Sequence, residues 1–295
     1  MVIKRVIRHG SEESQVKMIR KLIKTLPVVR FIINTDTYKH FRHHVTLHSS
    51  ERQNATFTLF LRLPTQFDAL SGPVVDFLLS HGDADKLKIT ILGCSNGAEA
   101  FSVASILKDR HPDLKFSIHG YDIVKEIIDK ANNACYTGEE VFSNKMVTPS
   151  FANHTFDVEN GYYKIKPEIA RLVHFSLADA LDPNLRNIIG ASDIVFAQNF
   201  LFHLKPKMAK KAFDNICCLL SHNGVLFIDG MDLGMRQKLT YINHLSPLNY
   251  KIEEIHNEAR VGRTDAWPFV YWGIEPFLTV RKEWQRRYST IFIKS

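Results

Sequence analysis

Apolar positions in this chain first follow a helical period and then switch to short runs separated by helical segments. Residues 11–26 (SEESQVKMIRKLIKTL) put Val16, Ile19, Leu22 and Ile23 on one side, behind a capping Ser11 and two acids, and Pro27 stops the run. Residues 36–48 read as a second short helical segment. In 52–80 the pair Leu63-Pro64 breaks the pattern, and a new helix starts after it. From residue 87 onward strands and helices alternate: strand 87–92, helix 98–109, strand 114–121, helix 123–133. A less regular stretch, 135–170, holds Gly138, Pro149, Gly161 and Pro167. Strands 171–176 and 192–198, helix 206–220 and strand 224–229 follow. A helix near 233–244, a strand near 250–257 and a closing strand 288–294 complete the pattern. The alternation predicts an α/β fold with a parallel-rich sheet and helices on both faces. The closing strand is expected to enter antiparallel at the sheet edge. Residues 1–82 read as an N-terminal helical region and 83–295 as the main domain, with a small subdomain at 137–170.

The stretch 88–122 says most about chemistry. The run Ile89–Leu92 ends in a small-residue turn, Gly93-Cys94-Ser95-Asn96-Gly97. Ala100, Val103, Ala104 and Leu107 then share a helical face, and a second apolar run ends on Asp122. This is strand, glycine turn, helix, strand, acid, and such a unit takes its ligand at the carboxyl ends of the strands. The acid suits a pair of ribose hydroxyls. The turn lacks the G-x-G-x-x-G spacing of a dinucleotide site and the Lys-Ser/Thr of a phosphate loop. A nucleoside ligand without phosphates fits better, and S-adenosylmethionine is the commonest of these.

Composition adds little to this and excludes some classes. With 295 residues, 45% hydrophobic and 23% charged, the chain is an ordinary globular protein. No apolar run approaches the ~18 residues of a transmembrane helix, and MVIKRVIRHGSEE has no secretory apolar core. A cytoplasmic location with no membrane partner is expected. The four cysteines (Cys94, Cys135, Cys217, Cys218) form no C-x-x-C pair, and no disulfide is expected. The net charge of +7 gathers at the two ends and reads as solvated helix faces; no nucleic-acid motif accompanies it. His40, His44 and His48 recur every four residues beside His43, but no acid or cysteine joins them at ligand spacing, so no metal site is expected.

Several segments in order resemble the CheR-type methyltransferases, class I S-adenosylmethionine enzymes that esterify chemoreceptor glutamates. The resemblance spans about 50–232. It rests on Asn54, Thr56, Thr58, Phe60, Arg62, Pro64, Phe67 and Leu70 against N-x-T-x-T-x-F-F-R-x-P-x-x-F-x-x-L, and on Cys94–Ser102 against A-x-S-x-G-x-E-x-Y/F-S. Tyr121-Asp122-Ile123 is similar to S/Y-D-I, Ala131–Tyr136 to A-x-x-G-x-Y, and Ala197–Leu204 to C-R-N-V-M-I-Y-F. The resemblance implies a Rossmann-like, mostly parallel seven-stranded sheet and S-adenosylmethionine as cofactor. It implies a cofactor pocket of Asn54, Thr56, Thr58, Arg62, Gly93, Ser95, Gly97, Glu99, Asp122, Ile123, Asp179, Ala180, Gln198 and Asn199. Within it Arg62 would pair with the methionine carboxylate, Glu99 would lie near the sulfonium, Asp122 would take the ribose, and Asp179-Ala180 would flank the adenine. Gln198-Asn199 would border the methyl group.

The departures concern the acceptor. The family's arginine is Gln198 here, its tyrosine is His203, and its Asn-Leu is Asp179-Ala180. The region after 232 is longer and carries Trp267, Tyr271, Trp272 and Trp284 in a loop near 262–286, expected to cover the acceptor. A carboxylate acceptor needs no base, whereas a hydroxyl or amine must lose a proton, and His203 is suited to take it. The sequence therefore reads as a methyltransferase of oxygen or nitrogen on a small-molecule acceptor, with His203 and Asn199 as catalytic candidates. The alternatives are a protein-glutamate carboxyl methyltransferase, with a protein acceptor, and a non-catalytic cofactor-binding module. An NAD-dependent oxidoreductase is disfavoured by the turn.

Overall fold

In the computed structural model, residues 26–35, 37–38, 41–42, 45, 58–81, 86–261 and 275–294 are described. Asn54, Thr56, the four histidines at 40–48 and the aromatics Trp267, Tyr271 and Trp272 lie outside these residues. A seven-stranded sheet runs in the order β6-β2-β1-β7-β8-β10-β9. Its members are β1 (Leu87–Leu92), β2 (Phe116–Asp122), β6 (Val173–Leu177), β7 (Ser192–Gln198), β8 (Leu220–Asp229), β9 (Leu245–Pro247) and β10 (Ile291–Lys294). The pairs β1–β2, β1–β7, β2–β6 and β7–β8 are parallel; β10 runs antiparallel to both neighbours.

The central strands are apolar on both faces because both faces are covered. Ile89, Ile91, Ile118, Phe196 and Phe227 point into one core. Their neighbours Leu92, Val195, Ala197, Leu226 and Ile228 point into the other. The helix Ala98–Arg110 packs into the first core and Pro206–Leu219 into the second. Phe67, Leu70, Val74, Val75 and Leu78, N-terminal to the sheet, are buried in the first core as well.

The stretch 135–170 folds into a three-stranded antiparallel sheet in the order β3-β5-β4, with β3 (Cys135–Thr137), β4 (Phe156–Glu159) and β5 (Tyr162–Ile165), and short helices. An aromatic cluster ties it to the main body: Phe60 meets Tyr136 and Phe156 edge-on at 5.0 and 5.2 Å. Asn144 Nδ2 donates to the carbonyls of Phe60 (2.8 Å) and Leu61 (2.6 Å).

Two expectations at the C-terminal end are corrected. Residues 252–258 form a helix, not a strand near 250–257. The alternation of Tyr250 and Ile252 covers too few residues, and the buried Ile252, Ile255 and Ala259 follow the i, i+3, i+7 helical spacing. The closing strand β10 is interior, between β8 and β9, rather than at the edge. The edge belongs to β9, three residues long and ending in proline, a residue tolerated there.

The segment that starts at Glu275 is pinned by charge. Glu275 is 0% exposed and accepts Nε and Nη2 of Arg287 (3.0 and 2.6 Å) and the hydroxyl of Tyr288 (2.7 Å), with Arg281 Nε 2.8 Å away. Trp284 packs edge-on against Phe277 at 5.5 Å, beside Leu233, Ile252 and Tyr288. It is partly buried against this small cluster. Burial pushes the Glu275 carboxyl upward, but the Arg287 and Tyr288 hydrogen bonds and the Arg287 and Arg281 charges outweigh it and leave it below the ordinary range. A depressed carboxylate stabilises the fold above its unfolded pKa of about 4.3 and loses that contribution as pH falls through the lower folded value. Glu275→Ala is expected to cost about 3–5 kcal/mol at neutral pH, the range for breaking a buried pair. In thermal melts the gap between parent and variant should stay constant above about pH 5 and shrink below about pH 4. An equal gap at every pH would contradict this account.

Candidate functional site

The glycine turn at the end of β1 holds three left-handed residues in five: Gly93 (φ 66°), Ser95 (φ 50°) and Gly97 (φ 87°). Successive backbone amides in such a turn point inward and make a concave polar surface. Gly97 is required twice over. Its φ favours glycine, and a Cβ there would stand 2.7 Å from Cζ of Phe175. The turn is tied down from outside by Tyr136, whose buried hydroxyl donates to the Asn96 carbonyl at 2.6 Å.

Asp122, at the carboxyl end of β2, closes the turn. Its Oδ2 accepts the Ser95 amide (3.0 Å), and its Oδ1 accepts the amides of Ile123 (2.8 Å) and Val124 (3.1 Å). On the far side, the chain leaving β7 turns at Asn199 (φ 56°), whose amide donates to the Asp229 carbonyl at 3.0 Å. Gly230 (φ 68°) lies against it; a Cβ there would be 2.6 Å from Asn199 Cα. Only glycine lets the two chain ends approach this closely.

Between these ends lies an open cavity. It brings together Thr58, Arg62, Gly93, Ser95, Glu99, Asp122, Ile123, Asp179, Ala180, Gln198, Asn199 and His203. Gly97 lies off the cavity, packed under the Phe175 and Phe101 rings. Leu92, Val124, Ala178, Phe200 and Leu204 also line it and were not read from the sequence. They are apolar neighbours of the named residues, and their only sequence signal was adjacency to a strand end. The segment carrying Arg62 is held by the donation of the Leu61 amide to Ser102 Oγ (3.1 Å) and by Asn144.

Three observations fit S-adenosylmethionine. The turn offers backbone amides without a phosphate loop, and the Asp122 carboxylate stands at the strand end. The third is Glu99, 8% exposed, which burial lifts to about pKa 7, with Arg62 opposing and Asp229 adding to the shift. A buried carboxyl poised at neutrality is stabilised as the anion by a neighbouring cation. His203, half-buried, is shifted down from 6.5 by burial and is neutral at pH 7. Among the described residues no group of three or more His, Cys, Asp or Glu is placed to hold a metal. No helix among them is long and apolar enough to cross a membrane.

Residues 56–244 match the family model described as CheR methyltransferase, SAM binding domain. The chain is 28% identical over 199 residues to a probable biofilm formation methyltransferase, WspC, of Pseudomonas putida, covering 63% of this chain and 46% of that one. It is 26% identical over 175 residues to chemotaxis protein methyltransferase 2 of Vibrio cholerae, covering 58% and 60%. A chemotaxis protein methyltransferase of Listeria monocytogenes is 23% identical over 249 residues, covering 83% and 87%. The chain thus spans about half the length of the first two relatives.

Because Asp122 fastens three backbone amides as well as facing the cavity, its loss should act twice. Asp122→Ala is expected to weaken S-adenosylhomocysteine binding by about 1.5–3 kcal/mol, the range for hydrogen bonds to a charged group, and to lower the melting temperature. Calorimetry and a thermal melt check both. Unchanged affinity would remove Asp122 from the ligand.

Proposed function

The chain belongs to the CheR methyltransferase family, and we propose that it transfers the methyl group of S-adenosylmethionine to an oxygen or nitrogen of a small-molecule acceptor. The observation that carries this is the single cavity wall shared by Arg62, Glu99, Asp122, Asn199 and His203. Arg62 would hold the methionine carboxylate, Asp122 the ribose hydroxyls, and Asp179 with Ala180 the adenine edge. Thr58, Gly93, Ser95 and Ile123 would shape the rest of the pocket; Asn54 and Thr56, from the same motif as Arg62, are proposed for the methionine end. When bound, the cofactor supplies an electrophilic methyl on a positively charged sulfur.

The protein's part is alignment, exclusion of water and proton management. Glu99 keeps an anion beside the positive charge. Asn199, fixed in its left-handed turn, borders the reacting centre. The acceptor heteroatom would take the electrophilic methyl that the bound cofactor supplies, and the acceptor proton would pass to His203. Burial keeps the imidazole unprotonated at neutral pH, as a base requires.

The second reading, methylation of a protein glutamate, is favoured by the chemotaxis names of the relatives. The two differ in what they need from His203. For an N–H or O–H acceptor, His203→Gln should lower kcat by about 10²–10⁴-fold with S-adenosylhomocysteine affinity retained. In the parent, kcat/KM should fall as pH drops through a value below 6.5. For a carboxylate acceptor the same variant should turn over within a few-fold of the parent and show no such limb. Transfer of labelled methyl to a panel of amines, amides, alcohols, carboxylic acids and proteins, repeated with the variant, decides between them.

A further inference from the structure

Beside the reacting centre, two neighbouring side chains carry polar atoms that the protein itself leaves without a partner. Gln198 is 7% exposed; its Oε1 is buried and accepts nothing. The Nδ2 of Asn199 is likewise buried and donates to nothing. Both residues line the cavity. Each such atom costs about 1–3 kcal/mol when left unpaired, so the arrangement points to a ligand that pairs with both.

The orientation of Gln198 follows from a short polar chain behind it. Gln198 Nε2 donates to Gln66 Oε1 (2.8 Å), and Gln66 Nε2 donates to Thr290 Oγ1 (2.6 Å). That leaves Oε1 as the amide atom without a partner. The two cavity-lining residues thus hold one unpaired acceptor, Gln198 Oε1, and one unpaired donor, Asn199 Nδ2. Among the described residues of the wall, Glu99, Asp122 and Asp179 face one arginine, Arg62, which already acts on Glu99, and this balance favours a neutral partner over an anion.

Resting on the methyltransferase reading above, we propose that Gln198 and Asn199 recognise the methyl acceptor as a carboxamide. Its N–H donates to Gln198 Oε1 and its carbonyl accepts from Asn199 Nδ2. Two bonds along the edges of a planar group leave the faces of its nitrogen open to in-line attack. The nitrogen would bond to the methyl carbon as the methyl–sulfur bond breaks, S-adenosylhomocysteine would leave with the electron pair, and the nitrogen's proton would pass to His203.

The polar chain Gln198–Gln66–Thr290 can in principle run in reverse, with Thr290 donating to Gln66 and Nε2 of Gln198 turned to the cavity. A carboxylate would then be preferred, so an amide–carboxylate pair of equal shape reads the direction. The test is NMR titration of the S-adenosylhomocysteine-bound, isotope-labelled protein with butyramide and with butyrate. Butyramide is expected to bind at least ten-fold tighter and to shift the side-chain amide signals of Gln198 and Asn199. Gln198→Arg should invert the preference. Should that variant fail to fold, Gln198→Leu, which keeps the bulk and removes the polar atoms, should abolish it. Butyrate binding as tightly as butyramide, no amide binding up to its solubility, or an unchanged preference in the folded variant overturns the proposal. Failure of S-adenosylhomocysteine to bind in calorimetry is a separate result, and it removes the methyltransferase reading itself.

Discussion

One carboxylate fastens the working end of the sheet. Asp122 accepts amides from its own strand end (Ile123, Val124) and from the neighbouring turn (Ser95). A parallel pair leaves the amides beyond its carboxyl ends without ladder partners, and a charged acceptor satisfies three of them at once. The turn can therefore hold a left-handed serine between two left-handed glycines. With Cys94 also donating to the Tyr121 carbonyl at 3.0 Å, β1 and β2 end in a rigid lip. The cavity wall built on that lip inherits its rigidity.

At the opposite lip Asn199 and Gly230 interlock through backbone: the Asn199 amide reaches the Asp229 carbonyl, and the Phe202 amide reaches the Gly230 carbonyl at 3.1 Å. The missing Cβ of Gly230 is what allows the contact. The two lips thus differ in kind. The lip at the ends of β1 and β2 is braced by charge and the lip at the ends of β7 and β8 by steric fit, so under the proposed roles a change of side chain at 203 alters acceptor chemistry without loosening the turn at 93–97.

Most of this was legible in residue order. The alternation of apolar runs and helical segments from 87 to 229 marked the sheet, because strands buried on both faces carry long unbroken signals. The turn and Asp122 were legible because glycine and a strand-end acid are rarely placed so for packing alone. What escaped depends on distant partners. Residues 252–258 hold both periods in too few residues, and burial of Ile255 chose the helix. β9 is too short to carry a period. Gly97 packs under Phe175, 78 positions away, and no local pattern announces that contact. The pairing of Gln66 with Gln198 crosses 132 positions, and nothing local to either glutamine announces it.

That pairing also explains why position 198 is not free to vary alone. Gln66 sits on the helix Pro64–Ala69, two residues after its start, and the same helix is capped by Glu258, which accepts the Thr65 amide at 3.1 Å. Thr290, the last member of the polar chain, immediately precedes β10. The segment bearing Arg62, the strand end bearing Gln198 and the C-terminal region are joined through buried polar contacts, where a half-satisfied group is costly. An apolar side chain at 198 would leave Gln66 Oε1 without its donor. The protein instead keeps an amide there and leaves its oxygen unpaired. A group held at that cost, at the end of the strand that borders the reacting centre, has its natural compensation in the bound acceptor rather than in the fold.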